Sequence, residues 1–189
     1  MKKLFLIALL SFAGIANAFT DAEILLLREA ANNEPSIDAC IIAGDDGCVA
    51  TWFNANSTFV VWRTSVTKSE YQTSVSSAAT TFDWASTGGY ISRSVAERDA
   101  WNTLFSGDQF GGSSVNPSML NVRNAFSDIF SGTGAGAVNN RAHVLAISKR
   151  FANNAEKALA TGTGTDQTPG TLTFQGTIRV DEVHTILGR

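Results

Sequence analysis

The chain has 189 residues, with 14 Lys and Arg against 17 Asp and Glu and a formal net charge of −3. This length suits one compact domain with its own hydrophobic core. A mildly acidic chain without clusters of basic residues lacks the cationic face that binds a phosphate backbone, so nucleic acid is not an expected partner. After the N-terminal region, no apolar run approaches the roughly 18 residues that cross a bilayer, and we expect no membrane span in the mature chain.

Residues 1–18 have the pattern of a secretory signal peptide. Two lysines follow the first Met, an apolar run covers residues 4–15, and the small residues Ala16 and Ala18 match a cleavage site. Cleavage there would leave a mature domain of residues 19–189. A retained N-terminal helix is the alternative interpretation.

Cys40 and Cys48 are the two cysteines of the chain, and a short Gly- and Asp-rich segment separates them. If one helix ends near Gly44 and another begins at Asp45 or Asp46, the turn brings the two thiols face to face. In an oxidising compartment such a pair commonly closes as a disulfide. Closing so short a loop adds at most about 3 kcal/mol of stability. The alternative is a pair of small buried thiols.

The first half of the mature chain predicts short helices and one extended segment. Capping-box patterns at Thr20 and Thr67, each followed by Glu three residues later, mark the start of two helices. Residues 58–63 are rich in β-branched and aromatic side chains, which predicts an extended segment. The predicted helices cover residues 20–32, 36–43, 45–53 and 67–76.

The second half predicts longer helices joined by polar loops. Residues 77–89 are dominated by Ser, Ala, Thr and Gly, and we expect a surface connection that Phe82 and Trp84 pin to the domain. Apolar side chains then recur at helical spacing in three segments. These segments are residues 94–106, 117–130 and 138–159.

The C-terminal region changes to an alternating pattern. Leu172, Phe174 and Ile178 alternate with polar residues over residues 171–180, which predicts a half-buried strand. A lone strand leaves its backbone groups unpaired, so it needs a partner. Residues 58–63 are the best internal candidate, and the alternative is pairing with a neighbouring subunit as an assembly strand. The predicted fold class is mainly α with a small β element of one or two strands.

The sequence offers no recognisable reaction centre. Its Gly-rich segments do not run into the Lys-Ser or Lys-Thr of a phosphate loop, and no Gly-x-Ser-x-Gly motif is present. His143 and His184 are most simply packing or surface histidines, and we expect His143→Ala to change little. Two histidines and a cysteine spacing other than CxxC do not suit a metal site. We therefore expect no enzymatic activity and no cofactor.

Several motifs in a fixed order carry a family resemblance. They are residues 61–66, 82–84, 116–123, 149–164 and 169–176. Together they resemble a family of small proteins encoded among the structural genes of tailed bacteriophages, over most of residues 50–180. The resemblance implies a virion or virion-assembly component of the neck or tail that is oligomeric in the assembly, binds other virion proteins or its own copies, and has no known catalytic residues.

Two features depart from that family, namely the leader at residues 1–18 and the pair Cys40 and Cys48. Because of these two features, a second hypothesis stays open in addition to a location in the virion. In that hypothesis the chain is an exported bacterial binding or adhesion module, periplasmic or secreted after cleavage near Ala18.

Overall fold

The structure is a computed structural model that describes residues 19–106 and 113–189. The predicted leader at residues 1–18 lies outside the described residues. The helices are α1 (Asp21–Asn32), α2 (Asp38–Ala43), α3 (Asp46–Asn54), α4 (Lys68–Thr73), α5 (Val95–Leu104), α6 (Leu120–Ile129), α7 (Ala135–Ile147), α8 (Asn154–Leu159) and α9 (Val180–Leu187). The strands are β1 (Asn56–Trp62), β2 (Val66–Thr67), β3 (Ser114–Val115) and β4 (Lys149–Asn153). The prediction of one mainly helical domain with a small β element is confirmed.

The first three helices form a tight N-terminal unit. Helix α2 ends at Gly44, whose φ of 72° is accessible at little cost only to glycine. The carboxylate of Asp45 then accepts a hydrogen bond from the Cys48 N–H at 2.9 Å and caps α3. The turn brings Cys40 and Cys48 together in a disulfide with Cα atoms 5.9 Å apart.

Strand β1 pairs antiparallel with β4, not with the C-terminal region. The helix predicted over residues 138–159 is therefore wrong, because β4 divides it into α7 and α8. Ser148, the residue that follows α7, donates its hydroxyl to the Val144 carbonyl at 2.6 Å, and the regular helix ends there. The chain then straightens and places Arg150 opposite the buried Val61 of β1.

The C-terminal strand predicted over residues 171–180 does not form. Only two isolated bridges form at its start among the described residues, one between Val61 and Gly170 and one between Thr161 and Thr171. The edge of β1 that the tail would use is already occupied by the loop of residues 161–170. For example, the Trp62 N–H donates to the Gly170 carbonyl at 3.0 Å.

The alternation in the tail nevertheless predicts burial correctly as far as Ile178, whereas Val180, the last apolar residue of the alternating set, is 53% exposed. Ile178 is buried, Leu172 and Phe174 are half-buried, and the polar residues between them are exposed. The ring of Phe174 lies 5.1 Å from that of Phe19. Phe174 and Ile178 pack against the second buried cluster of their own chain, and the assembly role of Leu172, Phe174 and Ile178 stays a prediction.

The buried side chains form two clusters. The first joins α4, α5, α6 and α7 around a set of aromatic rings, which includes Tyr71, Trp101, Phe126 and Phe130. The second joins α1, α3, α8 and α9 and includes Leu27, Phe53, Val183 and Ile186. In the two described ranges, no helix has both the length and the apolar character needed to cross a membrane.

Candidate functional site

One face of α7 holds the long connection that runs from α4 to α5. Gly136, Asn140 and His143 are spaced four and three residues apart, so they lie on the same side of the helix. Asn140 and His143 are fully buried. The connection, residues 74–94, is bound to the protein through these three positions.

Asn140 binds the connection with both ends of its amide. Its side-chain oxygen accepts from the Asp83 N–H at 2.7 Å, and its NH₂ group donates to the Asp83 carbonyl at 2.8 Å. The amide thus satisfies the two backbone groups that a neighbouring strand would otherwise pair. This pair of bonds fixes the backbone between Phe82 and Trp84.

His143 binds the connection and α4 together. Its Nε2 lies 2.7 Å from the Tyr71 carbonyl, which can only accept, so Nε2 carries the proton. The Nδ1 atom lies 3.1 Å from the Thr80 carbonyl and 3.2 Å from the Thr80 hydroxyl, and the Ser76 hydroxyl lies 2.6 Å from that of Thr80. Both ring nitrogens are engaged inside the core, so His143 has a structural role and is not placed to act as a general base.

Glycines bring the connection into backbone contact with the start of α7. A Cβ on Gly136 would collide with the backbone of Gly89, and a Cβ on Gly134 would lie 2.7 Å from the Thr87 carbonyl oxygen. The Gly136 N–H donates to the same carbonyl at 3.0 Å. The connection is therefore packed against α7 as closely as two backbones allow.

This rigid connection presents an exposed tryptophan. Phe82 is buried, as predicted, whereas Trp84 is 42% exposed and Ile91 is 62% exposed. The Trp84 ring packs edge-on against Phe82 and Tyr90, with centroids 5.1 and 5.4 Å apart. The Ile91 N–H donates to the Trp84 carbonyl at 2.8 Å, which holds the backbones of the two residues together. We name Trp84, Tyr90 and Ile91 the Trp84 surface.

The outer edge of β4 is a weaker candidate for contact with another chain. The Arg150 guanidinium donates a hydrogen bond to the Phe151 carbonyl at 3.0 Å. It also donates two hydrogen bonds, of 2.6 and 2.8 Å, to the Glu156 carboxylate. Glu156 also accepts from the Asn153 N–H at 3.1 Å. Charged groups that cover an edge in this way oppose pairing with another strand. The Phe151 side chain itself is 58% exposed.

The electrostatics of Glu156 follow from these contacts. Burial raises the pKa of its carboxyl, but the hydrogen bonds from Arg150 and Asn153 outweigh burial, and the pKa lies below its usual value. Glu156 is therefore ionised and fully engaged at neutral pH, with its side chain only 4% exposed. It stabilises the junction of β4 and α8 and offers no free carboxylate for chemistry.

Part of this site could be predicted from the sequence. The sequence predicts Phe82 and Trp84 as anchors of the connection. In the structure only Phe82 is a buried anchor, and Trp84 is partly exposed to solvent. Asn140 and Gly136 were not predicted from the sequence. Their spacing to His143 on one predicted helix face is the available signal, because a polar side chain on a buried face requires a partner.

The described residues contain no group of three or more His, Cys, Asp or Glu that would hold a metal ion. His184 is exposed and lies 3.5 Å from the Asp46 carboxylate, near Arg189 on the same carboxylate. No protein-family model, curated protein or solved structure matches this chain.

Proposed function

We propose that this chain is a structural component of a tailed-phage virion or of its assembly, in the neck or tail region, and that it acts through protein–protein contacts. The assignment to phage particles rests on the ordered motifs between residues 61 and 176. The structural observation that supports a contact role is the Trp84 surface. It is an exposed tryptophan beside an exposed isoleucine on a backbone that α7 holds rigidly.

Rigidity favours binding through this surface. Trp is among the residues that contribute most at protein interfaces, because its large ring is desolvated in a single contact. A connection already ordered by Asn140 and His143 loses little conformational freedom on binding, so more of the contact energy appears as affinity. The partner we expect is a neighbouring virion protein with an apolar pocket for the Trp84 ring.

The test combines composition and complementation. Virions from the phage that encodes this chain are purified and analysed by mass spectrometry, and a deletion is complemented with wild type, Trp84→Ala or Phe151→Ala. We expect the wild type in particles at a fixed copy number. Trp84→Ala should reduce incorporation at least tenfold while the domain stays folded, whereas Phe151→Ala, the matched exposed aromatic, should incorporate normally.

Two results would contradict the proposal. The first is the absence of the chain from purified particles. The second is a Trp84→Ala protein that enters particles as efficiently as the wild type. In the first case the virion role is wrong, and in the second case the role assigned to the Trp84 surface is wrong.

A second candidate function is an exported bacterial binding or adhesion module, which the bridged pair Cys40 and Cys48 favours. Disulfides of this kind persist in oxidising compartments. Intact mass with thiol labelling on protein from the native host separates the two candidates. Cleavage after Ala18 together with an oxidised cysteine pair would favour export, and an uncleaved, reduced chain in particles would exclude it.

A further inference from the structure

A polar cleft lies on a different part of the molecule from the Trp84 surface. It encloses about 290 Å³ where the end of α1 meets α3 and α8. Its polar and aromatic lining consists of Asn33, Glu34, Trp52, Asn154 and Lys157, and two alanines complete it. The volume is at the lower end of the range for small-molecule sites.

The aromatic wall of the cleft is held in place. Trp52, on α3, lies against Phe53 with ring centroids 4.9 Å apart, and Phe53 is fully buried. The Asn154 NH₂ group donates to the Trp52 carbonyl at 2.8 Å, which joins the start of α8 to α3. Trp52 thus lines the cleft from a helix joined to α8, and it packs partly buried against the second cluster.

Several hydrogen-bonding groups of the cleft are unused within the described residues. The side chains of Asn33 and Lys157 are exposed at the rim and take part in no side-chain hydrogen bond within the described residues, and Asn154 uses only its NH₂ group. In a folded protein, polar groups that converge around an aromatic wall without bonding one another are available to a ligand.

Glu34 and Lys157 set the charge of the cleft. The Ser36 hydrogen bonds lower the pKa of the Glu34 carboxyl, and the positive charge of Lys157 lowers it further, so Glu34 is ionised at neutral pH. No ion pair in the described part of the chain joins the two side chains, so each charged head stays accessible. Their charges cancel, and the cleft is suited to a neutral ligand.

We propose that this cleft binds a neutral pyranose sugar. The apolar face of a sugar ring packs on an indole, while its hydroxyls donate to Glu34 and to the Asn154 oxygen and accept from Lys157 and Asn33. An apolar ligand would leave these polar groups desolvated and unpaired, which costs affinity. A strongly charged ligand would gain from one of the two charged heads and be repelled by the other.

The inference is tested by NMR on the mature chain labelled with ¹⁵N. The probes are the methyl glycosides of glucose, galactose, mannose and N-acetylglucosamine, each titrated to roughly 50 mM, because a small ligand in an open cleft binds with a Kd on the order of 1–10 mM. We expect one or more of them to shift the Trp52 indole signal, with the Trp84 indole unchanged as an internal reference.

Matched variants locate the site. Glu34→Gln and Lys157→Met should each raise the Kd at least fivefold, whereas Glu29→Gln, an exposed change in the last turn of α1, should leave it unchanged. Trp52→Phe keeps an aromatic ring against Phe53 and should weaken binding without unfolding the domain. The proposal is wrong if none of the four glycosides shifts the Trp52 signal, or if the shift occurs with equal affinity in Glu34→Gln and Lys157→Met.

Discussion

The side-chain amide of Asn54 binds the backbone of Ile178 at both of its polar groups. The amide oxygen accepts from the Ile178 N–H at 2.8 Å, and the amide NH₂ donates to the Ile178 carbonyl at 2.8 Å. A similar arrangement precedes it, where the Asn153 amide donates to the Gly176 carbonyl at 2.7 Å and Glu156 accepts from the Gly176 N–H at 3.3 Å. The backbone groups of Gly176 and Ile178 thus find their partners on side chains and not on a second strand.

Replacement of Asn54 by Ala should therefore destabilise the domain. Two hydrogen bonds are lost and the Ile178 backbone is left without partners at a buried position, so we expect a loss of about 2 kcal/mol. Urea unfolding measures it. Asn32→Ala, at the exposed end of α1, is the control and should change stability by less than about 0.5 kcal/mol. Equal stability of Asn54→Ala and wild type would show that the tail is held by its apolar side chains alone.

The tail also shows which structural features the sequence pattern can predict and which it cannot. Alternation of Leu172, Phe174 and Ile178 predicts correctly which side chains face the core, because burial depends on the spacing of apolar residues. It cannot identify the partner of the backbone. That partner is the amide of Asn54, more than 100 residues away in the chain, and an isolated Asn carries no pattern that marks this role.

The helix predicted over residues 138–159 fails for a related reason. Apolar residues at Val144, Ile147 and Phe151 fit one helical face, but Phe151 is 58% exposed in β4. Pairing of Lys149–Asn153 with β1 overrides the local helical spacing, as tertiary contacts commonly do for short segments. The glycines and polar residues of the connection, residues 74–94, predict only a loop. Their backbone contact with α7 leaves no periodic pattern in the sequence.

We expect Glu156 to contribute to the free energy of unfolding in a way that is lost in acid. Its pKa in the folded protein is lowered from the usual 4.5 by Arg150 and by backbone N–H groups, against the opposing effect of burial. The stabilisation is present above the unfolded value and is lost as the pH falls through the folded pKa. Glu156→Gln should therefore cost about 1–2 kcal/mol at pH 7, since Arg150 is partly exposed, and should flatten the loss of stability below about pH 4.5.

The measurement is urea unfolding from pH 7 to pH 3 for the wild type and Glu156→Gln. Glu29→Gln carries the same substitution at an exposed position without an ion pair and serves as the control. Parallel stability curves for the wild type and Glu156→Gln across this range would show that Arg150 does not favour the ionised carboxylate in the folded state.

His143→Ala should destabilise the domain, contrary to the expectation from sequence. The substitution leaves a cavity in the core and removes the partners of the Tyr71 carbonyl and the Thr80 hydroxyl, which should cost about 2–4 kcal/mol. Amide hydrogen exchange should also accelerate in residues 74–94, because His143 anchors that connection. His184→Ala, at a 62% exposed side chain, is the control and should leave both readouts unchanged. Normal protection of residues 74–94 in His143→Ala would contradict the anchoring role.

Two glycine-to-alanine changes should have opposite signs. In a helix interior this change normally adds about 0.5–1 kcal/mol of stability, because alanine loses less backbone entropy on folding. Gly47→Ala, in the first turn of α3, should gain less than this and keep the domain at least as stable, since its Cβ would meet only the Asp45 carboxylate that caps α3, at 3.3 Å. Gly136→Ala should instead cost about 1–3 kcal/mol, because its Cβ would collide with the rigid backbone of Gly89 and separate the connection from α7.

Thermal unfolding of both variants provides the comparison, and binding of the Trp84 surface to its virion partner provides a second readout. Gly136→Ala should lower the melting temperature by several degrees and weaken incorporation into particles, because the backbone that presents Trp84 is displaced. Gly47→Ala should raise or preserve the melting temperature and incorporate normally. A Gly136→Ala protein as stable as Gly47→Ala would mean that the connection and α7 have room between them, and that Trp84 is not held rigidly.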